Sequence, residues 1–110
     1  MLIYGMGDRR RGQVSEKLLF HEKATDEEGN LFEAKIWRVP VSTRYREGIR
    51  YRLAFVACGE KSPAVLYDNH HPKGHHRHFG PIEEPYDFQD VDLLIEDFRR
   101  SIQRVKGRKR

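Results

Sequence analysis

Apolar and polar positions alternate with period two in two segments of the middle of the chain, residues 31–39 and 49–58, and the period lengthens to that of a helix only near the end. Leu31 to Val39 alternates, with Phe32, Ala34 and Ile36 on one face and Glu33 and Lys35 on the other. Successive side chains of a strand point to opposite sides, so this is the pattern of a half-buried strand. Lys17 to Thr25, with Leu18, Leu19 and Phe20 at its centre, precedes it across Asp26-Glu-Glu-Gly-Asn30. Gly29 and Asn30 suit positive φ, so the two segments are predicted to form a hairpin. Pro40 ends the second strand and Val41 to Glu47 is a polar connection. Ile49 to Cys58 is the clearest strand: Ile49, Tyr51, Leu53, Phe55 and Ala57 share one face, and Arg50 and Arg52 lie on the other. Gly59-Glu-Lys-Ser-Pro63 turns the chain into a short fourth strand, Ala64 to Asp68. Connections this short join antiparallel neighbours, because parallel pairs need longer crossovers.

The chain then passes a histidine-rich run and a loop, Gly80-Pro-Ile-Glu-Glu-Pro-Tyr86, and enters a helix near Asp90. Val91, Leu94, Ile95, Phe98, Ile102 and Val105 recur at helical spacing and form one apolar stripe. Asp90 is the expected N-cap, Asp92 lies in the first turn, and basic residues collect at the far end, where they complement the helix dipole. Gly107 is the expected stop. The stripe is read as core packed on the apolar face of the sheet. The expected fold is therefore α+β: a four-stranded antiparallel meander with one C-terminal helix packed on one face. Residues 1–14 are expected to form a flexible basic arm, 15–106 a single domain, and 107–110 a basic tail.

Composition sharpens this picture. With 110 residues the chain can build one core, and 37% hydrophobic against 35% charged residues makes that core thin and the surface heavily charged. The formal charge is +4, concentrated in Arg9 to Arg11 and in Arg99, Arg100, Arg104, Lys106, Arg108, Lys109 and Arg110. Such patches suit an anionic partner: RNA, DNA or an acidic protein. No apolar stretch approaches the length of a spanning helix and the N-terminus lacks a signal-peptide core, so no membrane partner is expected. The lone Cys58 sits in an apolar run, is read as buried, and cannot form an internal disulfide. A cytoplasmic location is expected, and self-association into a homodimer stays open.

The chemistry concentrates in Tyr67-Asp-Asn-His-His-Pro-Lys-Gly-His-His-Arg-His78, which holds five of the six histidines. Histidine exchanges protons near neutral pH and also binds metals. In an extended segment His76 and His78 share one side, with His75 and Arg77 on the other. Two imidazoles on one side can act as base and acid in phosphodiester cleavage, with Lys73 and Arg77 supplying positive charge for the phosphate. That reading makes the chain a candidate metal-independent endoribonuclease that needs no cofactor. The same spacing can instead supply two nitrogen ligands to a divalent metal such as zinc, with His70, His71, His75 or Asp68 completing the set. A third reading is a non-enzymatic module that binds nucleic acid or protein. Arg50 and Arg52 could continue a phosphate track, and Tyr67 and Tyr86 could stack on a base, although half-buried tyrosines are common in small sheets. Glu83 and Glu84 are expected to pair with nearby Arg or Lys or to be loop charges, and His21 to be a surface or edge residue.

The same residues carry a resemblance. Tyr67-Asp-Asn, Lys73-Gly-His-His-Arg-His78, Glu84-Pro-Tyr-x-Phe88 and Leu93-Leu-x-x-Asp-Phe98, preceded by Ile36-Trp-Arg-Val-Pro40 and Tyr51-Arg-Leu-Ala-Phe55, resemble the TumE family of toxins from bacterial and archaeal toxin–antitoxin pairs. The similarity spans roughly residues 16 to 105. It implies a small growth-inhibiting toxin, neutralised by a helix-turn-helix antitoxin encoded beside it, with motif positions at Asp68, Lys73, Gly74, His76, Arg77 and His78. RNA as target comes from the residue chemistry and not from the resemblance. The chain departs from the pattern at His75, where an acidic or small residue is expected, and in the added imidazoles of His70-His-Pro72.

Overall fold

The alternating segments pair as their spacing predicts, and the pairing continues beyond them. The computed structural model of the chain describes residues 16–108, so the expected arm over 1–14 and the last two residues of the expected tail lie outside it. Lys17–Thr25 (β1) and Leu31–Arg38 (β2) form the predicted hairpin. Asp26 holds its turn by accepting the backbone N–H groups of Glu28 and Asn30, each at 2.9 Å. Asn30 in turn accepts the Cys58 N–H at 2.8 Å, tying this turn to the end of the third strand. That strand is Ile49–Val56 (β3), and Val65–Asp68 (β4) follows. Cys58 lies past the end of β3 and is exposed, not buried as the apolar run suggested.

The sheet has six antiparallel strands and not four, in the order β1-β2-β3-β4-β5-β6. The histidine motif is itself a strand, His76–Phe79 (β5), and the segment read as a loop supplies its partner, Ile82–Pro85 (β6). A two-residue turn, Gly80-Pro81, joins them, with Gly80 at φ 59° as such turns require. Both strands are four residues long and carry charged or imidazole side chains on both faces, so the apolar alternation that marks a strand is missing. The helix is Val91–Arg108 (α1), and it runs through Gly107, which does not stop it. The Asp90 carboxylate accepts the Leu93 N–H at 2.8 Å, as an N-cap does. Among the described residues no helix is long and apolar enough to cross a membrane.

The α1 stripe packs on one face of the sheet. Leu94, Phe98 and Ile102 meet Ile36, Tyr51, Leu53, Phe55, Val65 and Tyr67 in a single buried cluster. Cross-strand partners share a face, so the register fixes what the other face carries. One row across it reads His21, Lys35, Arg52, Asp68, His76 and Pro85. The next reads Lys23, Glu33, Ala54, Leu66, His78 and Glu83. The helix closes the first face and leaves this one to solvent.

Candidate active site

β5 displays both motif imidazoles on the open face, where their ring centroids are 5.1 Å apart with planes at 70°. His76 is largely buried at 7% exposure. Its Nδ1 lies 2.8 Å from the Gly74 carbonyl oxygen. A carbonyl only accepts, so the neutral ring carries its proton on Nδ1 and presents a lone pair at Nε2. Gly74 reaches this geometry at φ 75°, a conformation glycine adopts without strain. His78 points its Nε2 to within 3.8 Å of Glu83 Oε1 across the β5–β6 pair. The same carboxylate oxygen accepts a 2.9 Å hydrogen bond from Lys73 Nζ. That bond, opposed by partial burial and helped by the charges of Lys73 and both histidines, holds the Glu83 carboxyl below the usual range.

Lys73 reaches the pair because the chain after β4 turns back on itself. Asp68 accepts the His70 N–H at 2.6 Å, and the Lys73 N–H donates to the His70 carbonyl at 3.1 Å. Asn69 is 2% exposed and takes the place of a paired backbone unit: its Oδ1 accepts the Tyr51 N–H at 2.9 Å and its Nδ2 donates to the Ile49 carbonyl at 2.8 Å. Its structural role was not read from the sequence, because a lone Asn in a polar run gives no hint of backbone partners on the neighbouring β3.

Arg77 stands apart from the imidazoles. As the alternate residue of β5 it faces the helix, where Nε donates to Glu84 at 2.5 Å and Nη1 to the Tyr67 hydroxyl at 3.1 Å. The bonds from Tyr67 and Glu84 outweigh burial and hold the guanidinium above its ordinary range. The Tyr67 hydroxyl also meets Ser101 Oγ at 2.7 Å, so Arg77 ties β5 to α1 through Tyr67. Tyr67 and Tyr86 are 0% and 8% exposed, and neither ring is open to a stacking base. Tyr86 donates to Asp97 Oδ2 at 2.7 Å, and burial together with that bond pushes its hydroxyl well above the ordinary tyrosine value. Arg50 and Arg52 do lie on the open face; Arg50 is paired with Glu16 and sits 4.2 Å above the Trp37 ring.

The residues considered as alternative metal ligands do not come together. His70 and His71 are exposed in the turn, and Asp68 caps it. His75 belongs to a separate group: its Nδ1 meets the Tyr51 hydroxyl at 2.9 Å, its Nε2 meets Glu47 at 3.0 Å, and its ring stacks on Phe88 at 4.8 Å. The Glu47 carboxylate only accepts, so the neutral ring carries its proton on Nε2 and Nδ1 accepts from the Tyr51 hydroxyl, which burial holds protonated. Among the described residues the group whose ligand atoms gather, all within 4.8 Å, is His76, His78 and Glu83. Glu83 enters only through the hairpin register, and Gly80-Pro81 between two four-residue segments was the signal that could have revealed it.

The geometry defines a small α+β protein whose sheet is closed by a helix on one side and carries paired imidazoles, a lysine and a carboxylate on the other. The family model for Toxin TumE matches residues 9–106, and the chain belongs to that family. No curated protein and no solved structure matches the chain.

Proposed function

We propose that this toxin is a ribonuclease in which His76 and His78 act as general base and acid. The observation that carries the reading is the pair itself: two imidazoles on one open face, one with its tautomer set by the Gly74 carbonyl. His76 Nε2 takes the proton of an RNA 2′-hydroxyl, and the 2′-oxygen attacks the adjacent phosphorus. The bond to the 5′-oxygen breaks as His78, with Glu83 beside it as ion-pair partner, protonates the leaving oxygen. The products are a 2′,3′-cyclic phosphate and a 5′-hydroxyl. Lys73 releases Glu83 and meets the charge that builds on the phosphate. Arg77, assigned to the phosphate from sequence, acts in this reading as the tie that holds β5 on the helix. The partner is a neutralising antitoxin of the helix-turn-helix kind encoded beside the toxin.

A second reading has its own observation. The approach of His76, His78 and Glu83 to within 4.8 Å is the nitrogen and oxygen set that zinc accepts. Lys73, already bonded to Glu83, is then the cation a metal must displace. Incubation of the full chain with total RNA, with and without chelator, separates the readings. Cleavage that survives chelation and yields cyclic phosphate ends supports the acid–base pair. Cleavage lost to chelator and restored by zinc supports the metal site, and retention without cleavage supports a binding module. Replacing either histidine by alanine is expected to slow cleavage by about a hundredfold to ten-thousandfold and to relieve growth arrest. Undiminished arrest in both variants eliminates catalysis by the pair.

A further inference from the structure

We propose that the open face of the sheet is a platform for single-stranded RNA, which crosses the strands from the His76–His78 pair toward Trp37 and Arg50. The proposal deepens the ribonuclease reading, on which its catalytic end rests.

The register sets out the path. Arg52 lies in the same cross-strand row as His76, with Asp68 between them and Lys35 beyond. Neighbouring strands are about 4.8 Å apart, so Arg52 is roughly 10 Å and β2 roughly 14 Å across the sheet from β5. Arg52 is exposed, and among the described residues no acid pairs with it. The acids of this face are already engaged. Glu33 lies 3.8 Å from Lys35 and 3.6 Å from His21, Asp68 caps the His70 N–H, and Glu83 holds Lys73. Glu16 pairs with Arg50, which leaves Arg52 as the cation along this path that no acid claims among the described residues.

The neighbouring row, in which Leu18, Trp37 and Arg50 are cross-strand partners, supplies the second requirement. Trp37 is partly exposed, and the Arg50 guanidinium lies 4.2 Å from its ring centroid. Aromatic rings and guanidinium planes both stack bases, and an open sheet face carrying them accepts two or three unstacked bases irrespective of sequence. A duplex keeps its bases inside and offers a flat sheet only its backbone, so Trp37 gains nothing from it. Single strands are the form this face fits. The competing surface is the outer side of α1, where Arg99 and Arg100 are exposed and Arg100 pairs with Glu96.

The test is fluorescence anisotropy of the full chain with a labelled mixed-sequence 2′-O-methyl RNA of about twelve nucleotides, a length within the usual range for such sites. The methyl group removes the nucleophile of the proposed reaction, so binding is read without cleavage. Arg52→Ala is expected to weaken binding and reduce the salt slope by about one. Trp37→Ala is expected to weaken it by about five- to a hundredfold, the range of a lost base stack. Trp37→Phe, which keeps a ring, is expected to retain most of the affinity and shows that loss in the alanine variant is not misfolding. Arg100→Ala and an RNA duplex serve as controls, the first binding as wild type and the second more weakly than the single strand. Wild-type affinity in both Arg52→Ala and Trp37→Ala overturns the platform, as does absence of RNA binding, or loss confined to Arg100→Ala. If those two variants bind normally while the wild type cleaves RNA, the platform fails and the ribonuclease reading stands. If they lose binding in a protein that never cleaves, the platform stands and the ribonuclease reading fails.

Discussion

One hydrogen bond, from His76 Nδ1 to the Gly74 carbonyl, determines which nitrogen of a largely buried neutral imidazole carries the proton and which keeps the lone pair. Gly74 holds that carbonyl at φ 75°, and a Cβ there would meet nothing within 4 Å. Gly74→Ala therefore isolates the backbone effect from any clash. The left-handed conformation costs a non-glycine residue about 1–2 kcal/mol, so the backbone relaxes and the carbonyl moves off Nδ1. The expected result is a modest loss of melting temperature with a larger loss of cleavage rate; a wild-type rate would mean that the carbonyl does not set the base. Asn69 makes a contrasting residue-scale case, because its role is stability. Asn69→Ala leaves the Tyr51 N–H and the Ile49 carbonyl unpaired in a buried site, at a cost of about 1–3 kcal/mol. Thermal unfolding should fall accordingly, with the site residues unchanged in number and kind. At this scale the sequence was half legible. Period two separated His76 and His78 from Arg77, but nothing local said that Arg77 faces Tyr67 and Glu84, since both are its cross-strand partners in a β4–β5–β6 pairing whose last two strands read as loop.

At the scale of elements, legibility followed apolar content. β2, β3, β4 and α1 bury hydrophobic side chains, and their alternation or stripe marked them, whereas β1 is exposed but for a half-buried Phe20 and was marked by its apolar centre and the turn after it. β5 and β6 are held in place by pairing with β4 and by polar contacts, and their residues look like a loop. The helix terminus shows the same kind of hidden tie. Lys106 Nζ reaches Asp26 Oδ2 at 3.2 Å, joining the end of α1 to the β1–β2 turn. Partial burial works against the Asp26 carboxylate, yet bonds from the Asn30 backbone and side chain, from Lys106 and from the Glu28 backbone hold it down at about 2. A carboxyl lowered in the folded state adds stability that is full above its unfolded value of 3.8 and is lost as pH falls through about 2. Lys106 is shifted upward, chiefly by its bond to Asp26, so its contribution is complete at neutral pH and is lost only as pH rises past its ordinary 10.5. Asp26→Asn should therefore melt below wild type at pH 7, and the gap should close as pH drops from about 4 toward 2. A gap that persists unchanged at pH 2 would show that the carboxylate charge is not what the turn uses.

Across the whole molecule the sheet separates the buried core from the proposed chemistry. The helix side holds the buried cluster, including Leu94 and Leu53 at 0% exposure, and the open side holds His76, His78, Lys73 and Glu83. Substitutions on the two sides should then fail in different ways. Leu94→Ala removes a fully buried side chain at a cost of about 2–5 kcal/mol. For a domain of this size each kcal/mol moves the melting temperature by roughly 4–8 °C, so the shift should be large. Growth arrest by that variant should weaken only as its folded fraction falls, and should recover at lower temperature within the stable range. His78 is partly exposed on the open face, and His78→Ala should melt close to wild type while abolishing arrest at every temperature. Plotting arrest against melting temperature for both variants tests the division directly. If His78→Ala loses arrest only in proportion to lost stability, the imidazole is part of the scaffold, and the open face is not where this toxin acts.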